Sequence, residues 1–131
     1  MGQVLEVTVK NWEEEVLNSD KPTLVDFWHK RCPWCIRLNP ILEEVSEEYE
    51  GKVKFVKLNV LETVENREIA IRYGIMATPT LIFFCAGRPI EEIVGFIPKE
   101  RLKKLIDDML ERHKECVGQS TKLIRILETH V

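Results

Sequence analysis

Thr23-Leu24-Val25-Asp26-Phe27-Trp28-His29-Lys30-Arg31-Cys32-Pro33-Trp34-Cys35 is the stretch on which the reading turns. Thr23 to Trp28 is nearly continuous apolar sequence, the pattern of a strand covered on both faces. Asp26 interrupts it, so a carboxylate is expected inside the protein, with its pKa raised by desolvation. The cysteines fall where this strand ends and a helix starts. Pro33 has no N–H and suits the first helical turn, where that donor would go unpaired. Backbone N–H groups and the positive end of the helix dipole then face the Cys32 sulfur and favour its thiolate. His29, Lys30 and Arg31 add positive charge. Only a thiolate attacks a disulfide, which makes Cys32 the expected nucleophile. Cys35, one turn on, is the expected resolving thiol. A lone Cys-x-x-Cys within a strand–helix pattern points to redox chemistry in a reducing compartment.

Working outward, Leu5 to Thr8 reads as a short edge strand, and Asn11 with Glu14 as a capping box opening a short helix that ends near Asn18. After the cysteines, Leu38, Ile41, Leu42, Val45 and Tyr49 share one helical face, and Glu43, Glu44, Glu47 and Glu48 the other. Pro40 is expected to kink this helix and Gly51 to close it. Val53 to Val60 is a second buried strand, Thr63 to Tyr73 a helix stopped by Gly74, and Thr80 to Phe84 a third apolar strand. Gly87-Arg88-Pro89 turns the chain, and Ile90 to Val94 pairs back antiparallel. Pro98 opens a helix with Leu102, Leu105, Ile106 and Met109 on one face. The order β-α-β-α-β-α-β-β-α implies an α/β fold, a mixed sheet with helices on both faces. Residues 1–113 read as one domain. Residues 114–131 read as an extension, a loose tail in which Leu123, Ile126 and Leu127 form a short amphipathic helix at most.

The 131 residues include 22 acidic and 19 basic side chains, a net charge of −3. That is no footprint for nucleic acid or an anionic membrane surface. No apolar run is long enough to span a bilayer. The N-terminus lacks a basic region followed by an apolar one, so no secretory signal and a cytoplasmic location are expected. The four cysteines, Cys32, Cys35, Cys85 and Cys116, are too few and uneven for a disulfide scaffold. No second Cys-x-x-Cys or His-x-x-x-His completes a four-ligand zinc site, so no metal is expected. Cys85 and Cys116 read as ordinary small residues, with a second, regulatory disulfide between them as the sharper hypothesis.

Further residues carry a resemblance. Val25-Asp26-Phe27-Trp28 before the motif, the Cys-x-x-Cys, Asn39-Pro40, Val56-Lys57-Leu58-Asn59-Val60, Tyr73-Gly74-Ile75, Thr78-Pro79-Thr80-Leu81, Gly87 and Val94-Gly95 recur in one order and spacing. Over roughly residues 5–110 the chain is similar to the thioredoxin family. The resemblance implies a thioredoxin fold. It makes Asp26 the buried carboxylate that handles the proton of the resolving thiol, and Lys57 its partner. It makes Pro79 a cis-proline facing the cysteines, with the Thr78 backbone binding an extended target segment. Trp28, Pro33, Trp34, Ala77, Thr78 and Gly95 would line the docking groove.

The chain departs from the family in two places. Pro33-Trp34 replaces the usual Gly-Pro, and proline there resembles glutaredoxins and periplasmic disulfide oxidases. His29-Lys30-Arg31 stands where the family usually carries a small residue, a variable one and tryptophan, and is expected to lower the Cys32 pKa and to favour acidic partners. The expected function is thiol–disulfide oxidoreduction on disulfide-containing target proteins. No bound cofactor is expected, a reductase or small thiol supplies electrons, and the protein is a monomer. The alternatives are a disulfide oxidase or isomerase, and a glutaredoxin-like use of glutathione. A redox-inactive binding module would show a lost cysteine or lost proline, and all three residues are present.

Overall fold

The computed structural model describes residues 3–117. The helix expected around Leu123, Ile126 and Leu127, and the Cys116 side chain with its suggested pairing to Cys85, lie outside the described residues.

Five strands form one sheet: β1 (Val4–Val7), β2 (Thr23–Trp28), β3 (Lys54–Asn59), β4 (Thr80–Cys85) and β5 (Arg88–Val94), in the order β1-β3-β2-β4-β5. β1 and β2 run parallel to β3, while β4 runs antiparallel to both β2 and β5. β2 is the central strand, and all six of its residues are buried. Its apolar run is what a strand covered by helices on both sides requires. β4 and β5 join through Ala86-Gly87, both at positive φ, the conformation that a two-residue hairpin demands. Gly87 is needed for a second reason. A Cβ there would sit 2.7 Å from the Leu17 carbonyl oxygen.

Alternation along the strands splits the core in two. Leu24, Phe55, Leu81 and Phe83 face α2 (Pro33–Glu48) and α4 (Lys99–Arg112), where Leu38, Leu42, Val45, Leu102, Ile106 and Met109 meet them. Val25, Phe27, Val56, Leu58, Ile82 and Phe84 face the other layer, α1 (Val9–Trp12) with its π-helical continuation Glu13–Leu17, and α3 (Val64–Arg72). Asp26 lies between Val25 and Phe27 in the alternation, so it belongs to the α2 face together with Leu24 and Trp28. The sheet thereby delivers this carboxylate to the face that α2 covers. The chain stays helical on both sides of Pro40, whose side chain is exposed. A last helical turn, α5 (Lys114–Val117), follows α4.

One element starts earlier than expected. Thr8, not Asn11, caps α1: its Oγ1 accepts from Lys10 N–H at 3.2 Å, and Asn11 Oδ1 accepts from Thr8 N–H at 2.8 Å. Asn11 is the third-residue half of the capping box rather than its first. The reason is that β1 pairs with β3 only as far as Val7, which leaves Thr8 as the one extended but unpaired residue before the helix.

Asn66 is fully buried and ties three elements together. Its Oδ1 accepts from Val9 N–H at 3.0 Å and its Nδ2 donates to the Asn59 carbonyl at 3.1 Å. Asn66→Ala strands both buried backbone groups. It is expected to lower the unfolding free energy by about 2–3 kcal/mol in urea titration. A loss under about 0.5 kcal/mol would show that the two groups find other partners.

Candidate active site

Cys32 is the N-cap of α2, at φ −95° and ψ 106°, and Pro33 occupies the first helical position. The Cys32 Sγ accepts a hydrogen bond from Cys35 N–H at 3.2 Å, so a helix-terminal donor points at the sulfur as the sequence predicts. The loop before it is a tight turn. Cys32 N–H donates to the His29 carbonyl at 3.3 Å, and Arg31 N–H donates to His29 Nδ1 at 3.2 Å. Lys30 and Arg31 stay exposed. Cys32 and Cys35 are joined by a disulfide, their Cα atoms 5.2 Å apart. Cys32 retains 6% exposure and Cys35 none. Of the two cysteines, only Cys32 therefore presents any surface to a reagent from solution.

The second wall of the site comes from residues more than forty positions away. The Thr78–Pro79 peptide is cis, and the Thr78 carbonyl oxygen lies 3.4 Å from Cys32 Sγ. This loop is held from both ends: Thr80 Oγ1 donates to the Ala77 carbonyl at 2.6 Å, and Gly95 N–H donates to the Pro79 carbonyl at 2.8 Å. Gly95 sits at φ +94°, where a side chain would be strained. Ala77 is exposed, Thr78 half-buried and Pro79 buried. Of the residues expected to line the groove, Ala77, Thr78, Pro79 and Gly95 thus belong to one hydrogen-bonded unit beside Cys32.

Asp26 is 1% exposed, and neither carboxylate oxygen has a hydrogen-bond partner among the described residues. Burial pushes its pKa up from 3.8 to about 7, against a smaller opposing pull from the Lys57 charge. Lys57 lies directly across from Asp26 in the β2–β3 register. Its ammonium does not form an ion pair with Asp26 among the described residues. It rests 4.8 Å from the centre of the Trp28 ring, a cation–π contact. Trp28 in turn shares a buried cluster with Cys32 and Cys35. Lys57 acts on Asp26 through space and through its place in the sheet.

Trp34, half exposed, makes a tilted contact with Phe96 at 5.5 Å between ring centres, and the Arg37 guanidinium lies 4.7 Å from its ring centre. Phe96 and Arg37 are site neighbours that sequence reasoning missed. The available signal was slight: an aromatic directly after Gly95, and a basic residue one helical turn after Trp34.

Cysteines held as a disulfide at a helix start, one accessible and one sealed, form a centre for reversible dithiol–disulfide exchange. Comparisons with known proteins agree. The family model described as Thioredoxin matches residues 3–108. A thioredoxin of Chlorobaculum thiosulfatiphilum is 42% identical over 107 residues, covering 82% of this chain and 96% of that protein. Thioredoxin 1 of Nostoc sp. is 40% identical over 110 residues, covering 84% of this chain and all of the relative. A thioredoxin of Alicyclobacillus acidocaldarius is 43% identical over 98 residues, covering 75% and 90%. In fold, in sequence and in its redox-active cysteine pair, the chain belongs to the thioredoxin family of thiol–disulfide oxidoreductases.

Proposed function

We propose that the protein works as a reductant of disulfides in target proteins, with Cys32 attacking and Cys35 resolving. The observation that carries this is the unequal access to the two sulfurs, with Cys32 Sγ under the Thr78 carbonyl and Cys35 sealed behind it. In the reduced protein the Cys32 thiolate attacks one sulfur of the target disulfide. The other target sulfur leaves as a thiolate and takes up a proton. Cys35 then gives its proton to the Asp26 carboxylate, and its thiolate attacks Cys32 Sγ. The second target thiolate leaves and the Cys32–Cys35 disulfide forms. Two electrons have passed from the protein to the target. A pKa near 7 suits Asp26 to accept and return this proton at neutral pH. Lys57 is a positioning residue that limits how far burial raises that pKa.

The target's extended segment docks against the Thr78 backbone, between Ala77 and Gly95 on one side and Trp28, Pro33 and Trp34 on the other. A reductase or small thiol restores the dithiol. The protein acts as a monomer in the cytoplasm, and residues 1–113 make up the functional domain, with 114–131 as an extension. Among the described residues no helix is long and apolar enough to cross a membrane.

The direction of electron flow is tested by the equilibrium reduction potential of the Cys32–Cys35 pair against a dithiothreitol or glutathione buffer. The expected value is close to the roughly −270 mV of thioredoxin. For a two-electron couple about 30 mV is a tenfold change in equilibrium constant. A potential near about −120 mV would overturn the reductant reading in favour of an oxidase, with Pro33-Trp34 as the first residues to exchange.

A further inference from the structure

A groove of about 390 Å³ runs along the α3 side of the Ala77-Thr78-Pro79 loop. It begins at Thr78, whose carbonyl touches the reactive sulfur, so whatever enters it is continuous with the site of exchange. Leu61, Ile71 and Met76 form much of its wall and are 57%, 64% and 97% exposed. Large apolar side chains left in water beside a reactive centre mark a contact surface. Met76 is an adaptable one, able to fit different partner side chains.

The polar lining has one sign. Among the described residues, His29 and Arg67 are the only ionisable groups on the groove, and no lining residue is acidic. Among the same residues Arg67 has no ion pair. His29 Nδ1 already accepts the Arg31 N–H, which places its own proton on Nε2 as a donor. Glu62, Glu65 and Glu68 are exposed on the same stretch of chain but do not line the groove. The setting reinforces this. Residues 27–42 contain His29, Lys30, Arg31 and Arg37 and not one carboxylate, in a chain whose net charge is −3. The Arg67 guanidinium and the His29 Nε2–H, donors on a groove with no lining carboxylate and beside an apolar wall, complement a carboxylate next to an apolar side chain.

We propose that this groove is a specificity subsite for an extended target segment that carries an apolar and an acidic side chain next to the reacting cysteine. The proposal rests on the reductant reading above and names its substrate class. Arg67 holds the carboxylate, the Nε2–H of His29 supports it, and Leu61, Ile71 and Met76 take the apolar neighbour.

The test uses the full chain, pre-reduced, with two disulfide-bonded peptide substrates. They are identical except that the cysteines are flanked by Leu and Glu in one and by Leu and Lys in the other. Single-turnover reduction gives kcat/KM for each. The wild type is expected to prefer the Glu peptide, and added potassium chloride to shrink the preference by screening. Arg67→Glu is expected to lower the Glu-to-Lys ratio by about three- to tenfold. Because the ratio is internal to one preparation, partial unfolding cannot mimic the result. If Arg67→Glu does not fold, the wild-type salt dependence decides. A wild type without preference, or a ratio unchanged by Arg67→Glu, overturns the subsite while leaving the reductant reading intact. A wild type that reduces neither peptide nor 2-hydroxyethyl disulfide overturns both.

Discussion

Cys32→Ser is expected to abolish reduction of a disulfide-bonded protein substrate, bringing turnover to the uncatalysed background, a loss on the order of 10³-fold or more. A serine hydroxyl is not ionised near neutral pH and does not displace a sulfur. Cys35 cannot take over, because it has no solvent exposure and lies behind Cys32 and Trp28. Cys35→Ser should behave differently. Its Cys32 thiolate still attacks once, but nothing resolves the product, so a one-to-one covalent complex with the target accumulates. Non-reducing electrophoresis distinguishes the two variants. If the covalent complex appears with Cys32→Ser and not with Cys35→Ser, then Cys35 is the nucleophile and Cys32 the resolving thiol.

Asp26→Asn is expected to stabilise the protein at neutral and alkaline pH. The carboxyl has a pKa of about 7 in the fold against 3.8 when solvated, because burial disfavours its charged form. Between these values the native state holds a proton that the unfolded chain has lost. The Asp26 contribution to wild-type stability therefore falls by about 1.36 kcal/mol per pH unit as pH rises through that window. The full penalty, roughly 4 kcal/mol, is present above about pH 7 and absent below pH 3.8. The asparagine variant carries no such penalty. Urea unfolding from pH 3.5 to pH 8 should show the two proteins diverging in the variant's favour as pH rises. Equal stabilities at pH 8 would mean that water reaches the carboxylate. The gain has a functional counterpart. In the proposed mechanism Asp26 accepts the Cys35 proton, so in the asparagine variant resolution of the mixed disulfide at pH 7 should slow by at least about tenfold. The site thus retains a group that weakens the fold where catalysis operates.

Much of this was legible along the chain. The order of strands and helices follows from hydrophobic periodicity, which is local: the unbroken apolar run of β2, the helical spacing of Leu38, Leu42 and Val45, and the punctuation by Gly51, Gly74 and Gly87. The cysteine motif was legible because its chemistry is contiguous. Pro33 and the helix start that present Cys32 are neighbours of Cys32 in sequence. Asp26 was readable as buried because its own neighbours are apolar.

Other features required the tertiary structure, because they join residues that only the strand order β1-β3-β2-β4-β5 brings together. Even a local feature depended on it. Thr8 rather than Asn11 caps α1 because pairing with β3 fixes where β1 stops. Asn66 reads as an ordinary polar residue on α3 until Val9 and Asn59 are placed around it. Lys57 reads as the partner of Asp26; the register sets it across from that carboxylate, and only the packed sheet shows that its ammonium also rests on Trp28. Phe96 meets Trp34, and Arg67 shares a groove with His29, across separations that no periodicity encodes. The sequence by itself determined the order of elements and the reactive pair, since both follow from propensities and chemistry of adjacent residues. The surroundings of that pair, the seal over Cys35, the buried Asp26 carboxylate and the cis-Pro79 loop, were decided by long-range packing of the sheet and its helices.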